Sequence, residues 1–193
     1  GNAVVQSTET GTAYLVNTTV SVSNLASITG AADNQQNSVV ISSADTNTIL
    51  AATGLADGTY KVYAVDAAGN LSSASSNSVT LDTTAPTASV TTATIPNTGN
   101  AVVQSTETGT AYLVKTTVSV SNLASITGAA DSQQNSVTIS SAATNTNLAA
   151  TGLVDGTYKV YAVDAAGNLS SASSNQLYPL IDYALDFDGT NDS

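Results

Sequence analysis

The fold of this chain is decided by the stretch Asp155-Gly156-Thr157-Tyr158-Lys159-Val160-Tyr161-Ala162-Val163. Asp-Gly is a turn pair, and the β-branched and aromatic residues after it favour an extended strand. A second turn, Asp-Ala-Ala-Gly-Asn at residues 164–168, follows directly. The pattern predicts a partly buried strand held between two tight turns.

This stretch belongs to a long internal repeat, because residues 1–77 return at 99–175 with only six differences. A period near 100 residues exceeds that of solenoid repeats and matches one autonomous domain. The sequence therefore predicts two domains in tandem.

Composition excludes several classes of function. The formal net charge is −11, with three Lys and no Arg, so the phosphate backbone of a nucleic acid would be repelled. The chain has no Cys, so it has neither disulfides nor thiolate metal sites. It contains no apolar span of membrane length and no signal peptide, so we expect no membrane insertion within this sequence and place export or anchoring signals outside it.

Short alternating runs between turn residues indicate an all-β fold. In the second copy we predict strands at 88–95, 101–104, 110–114, 136–140, 148–153 and 157–163. About seven strands at this spacing imply an antiparallel sandwich. Between Asn122 and Ala130 the spacing permits either one helical turn capped by Asn122 or an irregular crossover.

The order of turn, Tyr and an apolar residue two positions later resembles the tyrosine corner that opens strand F of immunoglobulin-type sandwiches. Val62 and Val160 stand where antibody domains place a cysteine. This resemblance implies that alternate side chains of the strand, Tyr60, Val62 and Ala64, face the core, and that Lys61, Tyr63 and Val65 face away from it. The strand, the Asp-Ala-Ala-Gly-Asn loop, the last strand and the linker Asp-Thr-Thr-Ala-Pro at 82–86 follow the order of bacterial Ig-like repeats in large surface adhesins. This resemblance covers residues 1–180 and implies two Ig-like antiparallel β-sandwiches arranged end to end.

The predicted domain bounds follow from the repeat and the resemblance. The first Ig-like repeat takes residues 1–82 and lacks the counterpart of its first strand, while the second takes 83–180. Pro86 stiffens the passage between them. Residues 181–193 form a tail in which 183–192 resemble the opening strand of a laminin-G or concanavalin-like domain.

The sandwich that the resemblance implies predicts which acidic residues meet at the joint. The last strand leaves at the end carrying the A–B and E–F loops, and the next domain begins at the end carrying the F–G loop. The first group would be Glu9, Asp57 and Asp82, and the second Asp164 and Asn168. The corresponding half-sites at the outer ends would be Asp66, Asn70, Glu107 and Asp155.

Carboxylates within about 6 Å of one another repel by about 3 kcal/mol per pair at an effective dielectric constant near 20. The first copy offers only Lys61 as a cation, in the middle of a strand. Oxygen ligands without His or Cys favour a hard cation, and a loose set of carboxylate, amide and carbonyl oxygens suits Ca²⁺ better than Mg²⁺. We therefore predict Ca²⁺ at the joint, and related adhesin repeats are stiffened in this way.

Each acidic residue also has an explanation without a metal. Asp57-Gly58 forms a good turn by itself, and residues 66–70 can form a tight loop in which Gly69 takes a positive φ and Asp66 accepts hydrogen bonds from backbone amides. Glu9 can be a solvated turn residue. Asp45 is replaced by Ala143 in the second copy, which argues against a shared role.

Catalysis is not expected, because the chain has no His or Cys and its Ser and Thr residues have no activating partner. Two functions remain. One is a non-catalytic stalk or spacer of an extracellular bacterial adhesin, at the cell surface, whose partners within this sequence are neighbouring repeats and whose ligand is bound by other domains. The alternative is an adhesive module that contacts a glycan or a cell-surface protein through its own loops.

Overall fold

The computed structural model describes residues 1–180, so the predicted laminin-G-like tail lies outside the described residues. Within this range the fold is nearly all β, which confirms the predicted class. The chain divides into two compact units, with the boundary between Thr83 and Thr84.

The first unit is built from two antiparallel sheets. Its elements are β1 (Asn2–Val5), β2 (Gly11–Asn17), α1 (Leu25–Thr29), β3 (Gln36–Ile41), β4 (Thr48–Ala51), β5 (Gly58–Asp66) and β6 (Val79–Leu81). One sheet has the order β3-β2-β5-β6, and the other pairs β1 with β4. Nonpolar side chains from both sheets form one core, made of Ala3, Val5, Ala13, Leu15, Ile41, Leu50, Ala52, Leu55 and Tyr60.

The second unit repeats this plan and adds a strand to each sheet. Its elements are β7 (Ala88–Val90), β8 (Ala93–Pro96), β9 (Asn100–Ser105), β10 (Gly109–Lys115), α2 (Leu123–Thr127), β11 (Gln134–Ile139), β12 (Thr146–Ala149), β13 (Tyr158–Asp164) and β14 (Leu177–Leu180). The sheets have the orders β12-β9-β7 and β11-β10-β13-β14-β8, and only β14 with β8 pairs in parallel. With β7 and β8 together as the first strand, this is an immunoglobulin-type strand order.

The first strand of the second unit differs from the prediction of one strand at 88–95. It is divided, because β7 joins the sheet of β9 while β8 joins the sheet of β14. The chain changes sheets at Thr91 and Thr92, and the amide of Thr91 still donates to the carbonyl of Val102 at 3.0 Å. One segment therefore closes one side of the sandwich by pairing with both sheets.

The predicted tyrosine corner is confirmed in both units. Tyr60 and Tyr158 are fully buried. The Tyr158 hydroxyl donates to the carbonyl oxygen of Val154 at 2.8 Å, with the carbonyl of Ser132 at 3.2 Å. Because a buried hydroxyl without a partner is costly, these carbonyls explain why a tyrosine can occupy the core at this position.

The alternation predicted along β5 is only partly correct. Tyr60 is buried and Val62 packs against the core, as expected. Val65, which was expected to face away from the core, is also buried. The chain after β5 folds back, so that Leu71 forms an antiparallel β-bridge to Val65.

Of the two alternatives predicted between Asn122 and Ala130, the structure confirms the helical turn and not the irregular crossover. Asn122 caps α2, since its side-chain oxygen accepts from the Ser125 amide at 2.9 Å and the Ser125 hydroxyl accepts from the Asn122 amide at 3.0 Å. The same reciprocal pair begins α1. Ile126, at the centre of α2, is fully buried.

Candidate metal site

The acidic end of the second unit is positioned by the register of two strands. Gly109, the first residue of β10, lies opposite Asp164, the last residue of β13. Gly109 has a φ of 149°, and a Cβ atom at this position would lie 2.0 Å from the Val163 carbonyl oxygen. Only glycine permits this approach, and it brings the turn that carries Glu107 to the end of β13.

The loop after β13 is held together by the side chain of Asp164. Its Oδ1 accepts from the Asn168 amide at 2.9 Å, and its Oδ2 accepts from the Asn168 side-chain amide at 2.8 Å. Gly167 has a φ of 92° and closes the turn. The explanation of this loop as a tight turn stabilised by its own aspartate is therefore correct, whether or not a metal binds.

The ionised form of Asp164 is favoured in the folded chain. Burial acts to raise the pKa of Asp164, but hydrogen bonds from the Asn168 side chain and from the amides of residues 166–168 outweigh it. The net effect is a pKa below the ordinary value of 3.8. The carboxylate is thus charged at neutral pH although only 8% of the residue is exposed.

Acidic side chains gather closely enough to hold a metal ion in one group within residues 1–180, and this group includes Glu107 and Asp164. A carboxylate oxygen of Glu107 lies within 4.8 Å of one of Asp164. Like charges at this separation favour a bound cation. The donors are oxygen atoms only, which fits a hard cation such as Ca²⁺.

The first unit repeats the same loop. The Asn70 amide donates to Oδ1 of Asp66 at 2.8 Å, and the Asn70 side chain donates to Oδ2 at 2.6 Å. The Asn70 side chain is the main cause that lowers the pKa of Asp66 below 3.8. Glu9 lines the same shallow surface depression as Asp66 and Asn70.

The predicted grouping of Glu9 with Asp57 and Asp82 is wrong. Gly11 pairs with Asp66 at one end of β5, whereas Gly58 pairs with Leu81 at the other. β5 is nine residues long, so its two ends lie about 26 Å apart at roughly 3.3 Å per residue. Asp57 and Asp82 therefore lie together at one end, and Glu9 lies at the opposite one.

The error came from taking the turn that carries Glu9, and Glu107 in the second copy, as the A–B turn. Because 88–96 form the first strand, the turn at Glu107 follows the second strand and lies beside the loop after β13. The same reasoning places Glu9 beside Asp66. Glu107 was predicted to share an outer half-site with Asp155, but Asp155 precedes β13 and Glu107 lies at its far end. The sequence did hold a signal for this position, because Glu107 stands two residues before Gly109, the glycine that pairs with Asp164.

Asp57 has a structural role in its turn, in agreement with the explanation of Asp57-Gly58 that needs no metal. Its Oδ1 accepts hydrogen bonds from the amide and the hydroxyl of Thr83, both at 2.8 Å. These bonds fix the chain just after β6. In the second unit Asp155 occupies the same turn, where its charge adds to burial in raising the pKa of Tyr158.

No protein-family model matches the chain. No curated protein matches it either. A solved structure described as "Biofilm associated protein - BSP domain" matches 91% of this chain with a TM-score of 0.33 and 17% sequence identity. The chain spans 25% of that structure's length. Among the described residues, no helix is both long and apolar enough to cross a membrane.

Proposed function

We propose that this chain is a non-catalytic spacer segment of a bacterial cell-surface adhesin, and that it binds calcium through its loop-end carboxylates. The observation that carries the proposal is the repetition of one β-sandwich plan in two units of nearly identical sequence. A spacer needs length and stiffness, which repetition supplies without any unique site.

The extracellular setting rests on the resemblance to Ig-like adhesin repeats and on the composition. The net charge of −11 and the absence of Arg disfavour nucleic acid as a partner. In this proposal the partners of each unit are neighbouring repeats in the same chain. Recognition of a host or cell-surface ligand belongs to other domains.

The calcium proposal is supported by the end of the second unit. Glu107 and Asp164 bring carboxylate oxygens together, and hydrogen bonding keeps Asp164 ionised. Asn168 adds an amide oxygen from the same loop. In the proposal Asp82 completes the ligand set, so that calcium stiffens the joint between repeats. Ca²⁺ fits better than Mg²⁺ because it accepts irregular sets of six to eight oxygen ligands.

Calorimetric titration of CaCl₂ into the metal-free chain tests the proposal. We expect saturable binding that Asp164→Asn weakens more strongly than the matched variant Asp66→Asn. Circular dichroism spectra of the variants serve as the control for folding. Failure of calcium to bind, or equal effects of the two variants, would contradict the proposed site.

A further inference from the structure

One sheet in each unit ends in a strand whose outer edge has no partner strand. In the sheets formed by residues 1–180, β3 pairs only with β2, and β11 pairs only with β10. Other strands precede and follow β3 and β11 along the chain. The edge occurs in both units and therefore belongs to the fold itself.

The register shows which backbone groups of β3 face outward. The carbonyl of Gln35, just before β3, accepts from the amide of Asn17 in β2 at 2.8 Å. Successive residues of an antiparallel strand direct their backbone groups to opposite sides, so the odd-numbered residues face β2. The N–H and C=O groups of Gln36, Ser38 and Val40 therefore face away from β2, where a further strand can pair with them.

This edge has little protection against pairing. Natural proteins guard free edges with Lys, Pro, bulges or covering segments. β3 has the sequence Gln-Asn-Ser-Val-Val-Ile, without a charged residue or a Pro. Its centre is guarded by Asn37, whose side-chain oxygen accepts from the Ser38 amide at 2.9 Å and whose nitrogen donates to the Ala51 carbonyl of β4 at 2.8 Å. The backbone groups of Gln36 and Val40 lie on either side of this guard.

The two copies differ in the side chains at this edge. Val40 in β3 is 69% exposed, and Ile49 in β4, the edge strand of the other sheet, is 56% exposed. Their counterparts in the second unit are Thr138 and Asn147. The copies differ at only six positions, and two of these exchange an exposed aliphatic side chain for a polar one on these edge strands. The first unit therefore has the more apolar edge.

We propose that the first unit associates with a second copy of this chain through antiparallel pairing of their β3 strands. A two-fold axis at Ser38 sets Gln36 of each copy opposite Val40 of the other. The amides of Gln36 and Val40 donate to carbonyls of the other copy, while Asn37 keeps its bond to the Ser38 amide. Val40 packs against the opposite Gln36 side chain on one face of the extended sheet.

A second copy fits this edge because the edge is complementary to itself. Antiparallel pairing about a two-fold axis uses the same backbone groups of both copies. The chain has a net charge of −11, so two copies repel each other least where they meet at an uncharged strand. Asp33 and Asp45 lie in the turns before and after β3 and not in the strand. Pairing of one short strand gives a weak dimer, which becomes effective where many copies are displayed together.

Oxidative cross-linking tests the register, because the chain contains no Cys. Ser38→Cys places a thiol at the proposed two-fold axis, and Ser136→Cys is the matched variant in β11. A mild disulfide-forming oxidant is added in about 0.5 M salt, which screens the repulsion between copies. We expect Ser38→Cys to form the covalent dimer at least about ten-fold faster than Ser136→Cys. Equal rates, or faster coupling of Ser136→Cys, would overturn the proposal.

Sedimentation and NMR of the 193-residue chain test the association itself. We expect a dimer to form as the concentration rises to about 1 mM, with shifts of the Gln36 and Val40 amides. Val40→Thr gives β3 the side chain that β11 already carries, and it is expected to weaken the dimer at least about three-fold. The matched variant Thr138→Ser should change the affinity by less than about two-fold.

Three results would contradict pairing through β3. They are an absence of association at about 1 mM, concentration-dependent shifts confined to other strands, and a dimer that Val40→Thr leaves unchanged. The inference does not depend on the calcium proposal, and the dimer is expected to persist in excess chelator. Loss of the dimer in chelator would show that it forms through the loop-end carboxylates instead.

Discussion

Gly109 lies directly opposite Asp164 between β10 and β13, and Gly11 lies opposite Asp66 in the same way. In both units a Cβ atom on the glycine would lie 2.0 Å from the carbonyl oxygen of the valine before the aspartate. The close approach of two backbones thus brings the glutamate turn to the aspartate loop. The candidate metal site depends on this glycine as much as on its carboxylates.

Gly109→Ala is therefore expected to destabilise the second unit strongly, by about 2 kcal/mol or more, because the backbone must move to accept the methyl group. Gly152→Ala is the matched control. Gly152 also has a positive φ, of 85°, but a Cβ there would meet no atom within 4 Å. Gly152→Ala should therefore lower the free energy of unfolding by only about 1 kcal/mol. Urea unfolding measures both, and equal costs would show that β10 and β13 are not this close.

Glu107→Gln is expected to weaken calcium binding by about ten-fold, because it removes one negative ligand from the proposed site. Glu9→Gln is the matched variant in the first unit and should have a smaller effect. Calorimetric titration of each variant gives the affinities. If Glu9→Gln had the larger effect, the principal site would be in the first unit instead.

Stability is expected to fall in acid through Asp66 and Asp164. Both have a pKa below 3.8 in the folded chain, so ionisation favours the folded state above the unfolded pKa. This contribution is lost as the pH falls through the lower, folded values. A chain carrying Asp66→Asn and Asp164→Asn should lose less stability between pH 5 and pH 2. Unfolding in urea across this pH range is the measurement. If the free energy of unfolding of this variant fell with pH as steeply as that of the parent chain, the link between these two carboxylates and stability would be refuted.

Tyr158→Phe tests the tyrosine corner. Loss of its hydroxyl should cost about 1 kcal/mol, because it removes the donor to the Val154 carbonyl. Burial, followed by the charge of Asp155, raises the pKa of Tyr158 above 10.0. The neutral form is therefore favoured on folding, and stability should fall as the pH rises past 10. The variant should show a smaller fall, and an identical alkaline profile would contradict the burial of this hydroxyl.

Ala143→Gly is expected to stabilise the second unit by about 0.5–1 kcal/mol. Ala143 has a φ of 52°, in the left-handed region that alanine avoids. Asp45 holds the same position in the first unit, with a φ of 54°. Because aspartate tolerates this region better, Asp45→Gly should gain less. Thermal unfolding of the two variants measures whether Ala143→Gly gains more stability than Asp45→Gly.

Local features of the fold were predictable from sequence because they depend on few neighbouring residues. The Asp-Gly-Thr-Tyr pattern indicated the buried tyrosine, and Asn122 indicated the start of α2. The division of the first strand at Thr91 and Thr92 was not predictable, since it depends on which sheet each half joins. Glu107 lies beside Asp164, and not near Asp155 as predicted, because Gly109 pairs with Asp164 between β10 and β13. The presence of acidic residues in these turns could thus be read from the sequence, while the grouping of Glu107 with Asp164 required the register.

We propose that this chain is a spacer stiffened by calcium. Small-angle X-ray scattering of the 193-residue chain, in calcium and then in excess chelator, tests it most directly. We expect a longer and narrower distribution of interatomic distances in calcium, which Asp164→Asn abolishes. An identical distribution in both conditions, together with an unchanged melting temperature, would contradict the claim.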